Sequence, residues 1–130
     1  MQEKLKMAKK ILITAGNIAV EAKLNDSPTA KLIAQALPIK GKAQRWGEEI
    51  YFSIPVKAEL EDKSREVVEA GELGYWPPGR AFCIFFGPTP ASQGDEIRAA
   101  SPVNIIGKII ADCSKLTQVP AGANVTLESA

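Results

Sequence analysis

The stretch "GYWPPGRAFCIFFG", residues 74–87, leads from two aromatic residues and a proline pair into a run of almost uninterrupted apolar side chains. Successive side chains of a β-strand point to opposite faces. A strand over residues 81–86 therefore has Arg80, Phe82, Ile84 and Phe86 on one face and Ala81, Cys83 and Phe85 on the other. Since both sets are largely apolar, we expect one face to fill a sheet interior while a helix, a loop or a groove covers the other.

The approach to this strand is stiff, because Pro77 and Pro78 fix their own backbone and lack an N–H group. Such a segment protects a sheet edge, or it forms a preorganised wall that loses little entropy on binding. We expect "GYWPPG" to form one wall of a concave, partly apolar cleft. Trp76 would lie at its rim, and Phe82 or Phe86 at its floor.

The rest of the chain predicts a mainly β domain. Apolar residues alternate over residues 10–24 around a Gly16-Asn17 turn, which indicates a β-hairpin. Ser27 and Pro28 begin a helix that Pro38 ends. Further strands are predicted at 49–54, 65–69, 73–76, 81–86, 103–110 and 124–128, with a loop over 87–102 and a short helix or turn over 114–118. About eight short strands favour an antiparallel barrel or sandwich.

Composition limits the classes of function. A chain of 130 residues predicts a single domain, assigned to residues 10–130, with a flexible tail over residues 1–9. A net charge of +1 gives no basis for binding nucleic acid or a membrane surface. The sequence lacks histidine, which excludes Ser–His and Cys–His nucleophile pairs and the usual zinc sites. We expect a cytoplasmic protein with two unpaired cysteines and neither metal nor cofactor; its oligomeric state stays open.

Three blocks carry a family resemblance: "RWGEEIYFSIP" (45–55), "GYWPPGRAFCIFFGPTP" (74–90) and "SPVNIIGKI" (101–109). In this order and spacing they resemble a family of small, uncharacterised prokaryotic proteins with a cyclophilin-like fold. The resemblance covers residues 10–128 and implies a closed eight-stranded antiparallel β-barrel with one or two short capping helices.

The catalytic features of the cyclophilin peptidyl-prolyl isomerases find little counterpart. Their Phe-His-Arg strand is absent, and the nearest candidate for its arginine is Arg45. Their Gln-Phe-Phe stretch is replaced by Ala81-Phe82-Cys83 or by Ile84-Phe85-Phe86, and their pocket histidine has no equivalent. The resemblance therefore implies the fold and weak isomerase activity at most.

The candidate ligand-binding residues are Trp46, Tyr51, Tyr75, Trp76, Pro77, Arg80, Phe82 and Phe86. Four of them are Trp or Tyr residues at strand ends, where an apolar body with a polar group suits a half-exposed rim. The candidate catalytic residues are Arg45, Glu48 and Glu49. The two glutamates point to opposite faces of a strand, so they cannot form a carboxylate pair, and a solvated surface is the simpler interpretation of both.

Three functions are consistent with these features. The first is a non-enzymatic domain that binds a small ligand or an extended peptide beside Trp76. The second is a weak prolyl isomerase. The third is a small-molecule enzyme, such as a hydrolase or lyase, in which Glu48 or Glu49 acts as a general base.

Overall fold

The first two strands form the hairpin that the alternating apolar residues predict. The computed structural model describes residues 9–130. Of the predicted tail over residues 1–9, residues 1–8 lie outside the described residues, and Lys9 belongs to the first strand. Strands β1 (Lys9–Ala15) and β2 (Ile18–Leu24) pair antiparallel across the Gly16-Asn17 turn. Gly16 has φ +58°, a left-handed conformation that glycine adopts without steric cost.

Residues 9–130 contain one α-helix, α1 (Pro28–Ala36), which begins and ends close to the predicted positions. The Ser27 side chain accepts a hydrogen bond from the Ala30 N–H, as an N-cap does. Two short 3₁₀ helices, Pro77–Gly79 and Ser114–Gln118, complete the helical segments of the described chain. None of these helices is long and apolar enough to span a membrane.

The remaining strands of the described residues are β3 (Ile39–Lys42), β4 (Gln44–Arg45), β5 (Glu49–Ser53), β6 (Arg65–Val68), β7 (Glu72–Trp76), β8 (Ala81–Phe85), β9 (Ile97–Ile109) and β10 (Asn124–Ser129). All strand pairs are antiparallel, in the order β3-β10-β1-β2-β9-β7-β8-β5-β4, and β6 pairs with β9. The mainly β prediction is confirmed.

The prediction of a closed, eight-stranded barrel is not confirmed. The sheet formed by residues 9–130 has ten strands, and no ladder joins the two ends of its order. Its end strands β3 and β4 are separated by Ala43 alone, so they follow each other along the chain instead of pairing side by side. β3 pairs with β10 and β4 pairs with β5.

Strand β9 corrects the prediction of a loop over residues 87–102, because it begins at Ile97 and runs through Ser101 and Pro102 to Ile109. Its first part pairs with β6 and its later part with β7 and β2. Gly107 permits the pairing with β2, since an added Cβ would overlap the carbonyl oxygen of Lys23.

Two apolar clusters cover the two faces of β8, all five of whose residues are buried. The larger cluster lies between the sheet and α1 and includes Phe82 and Ile84. The smaller cluster contains Ala81, Cys83, Phe85, Val68, Ile97, Ala99 and Val103. The structure therefore assigns Phe82 to the main core and Cys83 to the opposite face, where β9 and β6 provide the cover.

Candidate functional site

A cleft of about 230 Å³ opens on the Cys83 side of β8, next to the smaller apolar cluster. Eight residues line it: Trp46, Glu49, Tyr51, Trp76, Cys83, Ala99, Ala100 and Val103. The described residues that line it include three aromatic side chains, one carboxyl group and neither lysine nor arginine. The cleft is thus an apolar, aromatic space with a single carboxyl group.

Glu49 is the least expected member of this lining, because only 6% of the residue is exposed. It begins β5, directly opposite the fully buried Phe85 of β8. Burial removes water from the carboxylate and raises the pKa of Glu49 to about 7, while the neighbouring Cys83 thiol lowers it by a smaller amount. Near neutral pH the carboxyl group therefore exists in both protonation states.

The Cys83 thiol gives the Glu49 carboxylate little support. A thiol has one proton and is a weak donor, and the carbonyl oxygen of Ala81 lies 3.8 Å from its sulfur as a competing acceptor. Burial, together with the negative charge of Glu49, raises the pKa of the thiol well above its usual range. Cys83 is therefore neutral at physiological pH and is a poor nucleophile.

Trp76 forms a fixed wall of the cleft. Its indole N–H donates a 2.7 Å hydrogen bond to the hydroxyl of Ser101 on β9. Gly79 packs beneath the ring, where an added Cβ would lie 2.9 Å from Cε3. Of the "GYWPPG" segment, Trp76 lines the cleft, and the glycine after the proline pair leaves room for its ring.

Trp46 and Tyr51 are positioned by the β4–β5 turn. The Trp46 N–H donates a 3.0 Å hydrogen bond to the carbonyl oxygen of Glu49, and Gly47 adopts φ +61° in the turn between them. Tyr51 lies two residues after Glu49 on the same face of β5 and opposite Cys83. The side-chain alternation that separates Glu48 from Glu49 therefore brings Glu49 and Tyr51 together.

Two of the predicted ligand-binding residues, Tyr75 and Phe82, are fully buried in the main core instead of lining the cleft. They are directly opposite each other in the β7–β8 ladder, on the face that points away from Cys83. The Tyr75 hydroxyl donates a 2.7 Å hydrogen bond to the carbonyl oxygen of Val56, so its polar group is satisfied within the protein. The floor of the cleft is Cys83, not Phe82 or Phe86.

Arg45, Glu48 and Phe86 form a second group outside the residues that line the cleft. The Arg45 guanidinium donates to the carbonyl oxygens of Gly47, Thr117 and Val119 and lies 3.4 Å from the Glu48 carboxylate. It also stacks over Phe86, 5.3 Å from the ring centroid. Arg45 thus ties the β4–β5 turn to the 3₁₀ segment near the C-terminus.

The two other predicted ligand-binding residues, Pro77 and Arg80, flank the turn that supports Trp76. Arg80 is exposed and adopts φ +47°, and its N–H donates to the carbonyl oxygen of Pro77 at 3.1 Å. Neither residue is part of the cleft lining. Both shape the turn that supports the wall.

Sequence reasoning missed the contribution of β9 to the cleft, where Ala99, Ala100 and Val103 form one side. These residues fall in or next to a segment rich in Gly, Pro, Ser and Asp, a composition typical of loops. Among the residues that the structure describes, no group of three or more Cys, Asp or Glu side chains is arranged to hold a metal ion.

Comparison with known proteins identifies the family of this chain. The model of the cyclophilin-like family matches residues 9–128. The chain therefore belongs to the cyclophilin-like family. It is similar to a hypothetical protein from Archaeoglobus fulgidus, with 43% sequence identity over 100% of both chains. The solution structure of that protein matches this chain with a TM-score of 0.84. The comparison with curated proteins gives no match.

The raised pKa of Glu49 predicts a pH-dependent stability. The folded chain holds the Glu49 proton up to about pH 7, whereas the unfolded chain releases it near 4.5, so the free energy of unfolding falls as pH rises between these values. The expected loss is at most about 3–4 kcal/mol, from about 1.4 kcal/mol for each unit of pKa difference. Urea denaturation at several pH values measures it.

The Glu49→Gln variant lacks the titrating group, so its stability should change less over this range and should exceed that of the wild type at pH 8. Glu128→Gln, at an exposed position on β10, is the matched control and should retain the wild-type slope. Identical pH dependence of Glu49→Gln and wild type would contradict the burial of an ionisable Glu49.

Proposed function

We propose that this domain binds a small organic molecule in the cleft between Trp46 and Trp76, through Glu49, without efficient prolyl isomerase activity. The observation that carries the proposal is a buried carboxyl group facing an otherwise apolar space. Burying a polar group without a matching partner costs free energy. A bound molecule that pairs with the carboxyl group and covers the aromatic walls would recover that cost.

The dimensions of the cleft favour a small ligand over an extended peptide. Sites for drug-sized molecules typically measure about 300–1,000 Å³. At about 230 Å³, this cleft holds a compact molecule or the end of a larger one. The hydrogen bond from Trp76 to Ser101 fixes one wall before binding, which reduces the entropy lost on association.

The surroundings of Arg45 argue against efficient isomerisation. Proline isomerisation needs a donor directed at the imide nitrogen beside an apolar proline slot. The guanidinium of Arg45 already donates to three backbone carbonyl oxygens and faces Glu48. Using it as a catalytic donor would break contacts that hold the β4–β5 turn.

A second candidate function is general acid–base catalysis on a small molecule by Glu49. The pKa of about 7 supports it, because a group that titrates near the working pH both accepts and releases a proton. Shifted pKa values are common at catalytic sites. In that case Glu49→Gln would abolish turnover of a molecule that still binds.

Binding is tested by titrating ¹⁵N-labelled protein with a fragment library containing neutral, cationic and anionic compounds. We expect the hits to shift amide signals at Glu49, Tyr51, Trp76 and Cys83. Trp76→Ala should weaken those hits by about tenfold or more, the scale of losing an aromatic contact worth roughly 1–3 kcal/mol. Glu128→Gln, at an exposed position on β10 outside the cleft lining, should leave their affinity unchanged.

Two outcomes would refute the binding proposal. One is a library in which no compound shifts the cleft signals, and the other is a set of hits confined to a different surface. A fall in stability of about 3–5 kcal/mol in Trp76→Ala, typical of a fully buried tryptophan, would instead identify this segment as a core element.

Isomerase activity is tested with a chromogenic proline-containing tetrapeptide in a protease-coupled assay, using a true cyclophilin as the positive control. We expect a rate close to that of the uncatalysed reaction. Efficient turnover that is lost in Arg45→Ala, in a variant shown to be folded by its NMR spectrum, would reverse the order of these functions.

A further inference from the structure

We infer that the cleft selects a small organic cation, in which an ammonium or amidinium group pairs with Glu49 and the carbon skeleton lies between Trp46, Tyr51 and Trp76. This inference rests on the proposed function of the cleft and adds the chemical class of the ligand. Three features support it: an unpaired carboxyl group, aromatic walls and the absence of a competing protein cation from the described lining.

The first feature is the lack of a strong partner for the Glu49 carboxyl group. Within residues 9–130, no backbone N–H, lysine or arginine donates a hydrogen bond to it, and its neighbour in the cleft is the weakly donating Cys83 thiol. Other carboxylates of the described chain have such partners: Glu72 binds Arg65 at 2.8 Å and Glu96 binds Arg98 at 2.7 Å. Glu49 thus offers an acceptor that no lysine or arginine of the described chain occupies.

The second feature is the nature of the walls. The faces of Trp and Tyr rings attract cations, with Trp the strongest, and cages of such rings recognise ammonium ligands. A neutral ligand would gain the apolar contacts of Ala99, Ala100 and Val103 but would leave the carboxylate without a counter-charge. An anion would be repelled by Glu49. The lining therefore favours a positively charged ligand over a neutral or negative one of the same shape.

The third feature is the protonation of Glu49, which a bound cation would change. Among the residues that line the cleft, the groups that titrate are Glu49 and Tyr51 from β5 and Cys83 from β8, while β7 and β9 contribute Trp76, Ala99, Ala100 and Val103. Without ligand, a proton neutralises Glu49 below about pH 7. A bound cation takes the place of that proton, so binding should release it and should weaken as the pH falls.

The test uses tert-butylammonium and tert-butanol, a cation and a neutral molecule of nearly the same shape, with pivalate as the anion. We expect tert-butylammonium alone to shift the cleft signals in ¹⁵N NMR titrations. Its apparent affinity should fall about tenfold from pH 8 to pH 6, because only the ionised fraction of Glu49 binds it. Glu49→Gln should weaken it at least tenfold, while Glu48→Gln, which faces Arg45 instead of the cleft, should leave it unchanged.

A second variant separates charge from shape. Trp76→Leu keeps an apolar wall but removes the aromatic face, so it should weaken tert-butylammonium more than any neutral compound that binds the cleft. Equal binding of tert-butanol and tert-butylammonium, or cation binding that survives Glu49→Gln, would overturn the inference while leaving the cleft a binding site. If the fragment library also fails to shift any cleft signal, the proposed function itself is refuted.

Discussion

The burial of both faces of β8 is the constraint on which the rest of the structure depends. A strand that alternates Phe82 and Ile84 with Ala81, Cys83 and Phe85 cannot leave either face in water without exposing large apolar area. The main sheet and α1 cover the first face. The chain covers the second with β9 and β6, and beside this smaller cluster, next to Cys83, the cleft remains open. The site exists because the second cover is incomplete.

This incomplete cover explains why burial of the Glu49 carboxyl group costs stability and why the group can still be reached from the cleft. Phe85, the residue opposite Glu49, is fully buried. The pairing of β5 with β8 therefore places the Glu49 carboxyl group in an apolar environment even though it has no strong hydrogen-bond partner there. Natural chains retain destabilising polar groups where function needs them, and offset the cost elsewhere. Here the main core provides that offset. The rings of Phe52 and Phe82 pack at a tilt with their centroids 5.5 Å apart, and the Tyr75 hydroxyl donates a hydrogen bond to the Val56 carbonyl oxygen. The packing of the main core on one face of the sheet therefore compensates for the unpaired Glu49 carboxyl group on the other face.

The sequence predicted the elements whose local signals agree with the fold, and missed those decided by distant neighbours. The hairpin, the capped helix and β8 were readable because alternation, capping residues and apolar runs act locally. Strand β3, with the sequence "IKGK", was missed because its place is set by pairing with β10, more than eighty residues away. The sequence around Glu49 favours a solvated surface charge, whereas its burial depends on pairing with Phe85, which lies thirty-six residues further along the chain. One signal was available in the sequence. Glu49 and Tyr51 are two residues apart on β5, and Tyr51 pairs with Cys83 on β8, so the three side chains lie on one face of the sheet.

The central claim is that Glu49 is a buried carboxyl group with no strong partner within residues 9–130. It is tested most directly by following the side-chain carboxyl ¹³C signal of Glu49 by NMR from pH 4 to pH 9, assigned with the Glu49→Gln variant. The account predicts a titration midpoint near 7, well above the ordinary value of 4.5. A midpoint at or below 4.5 would show a solvated or ion-paired carboxylate, and would contradict the account.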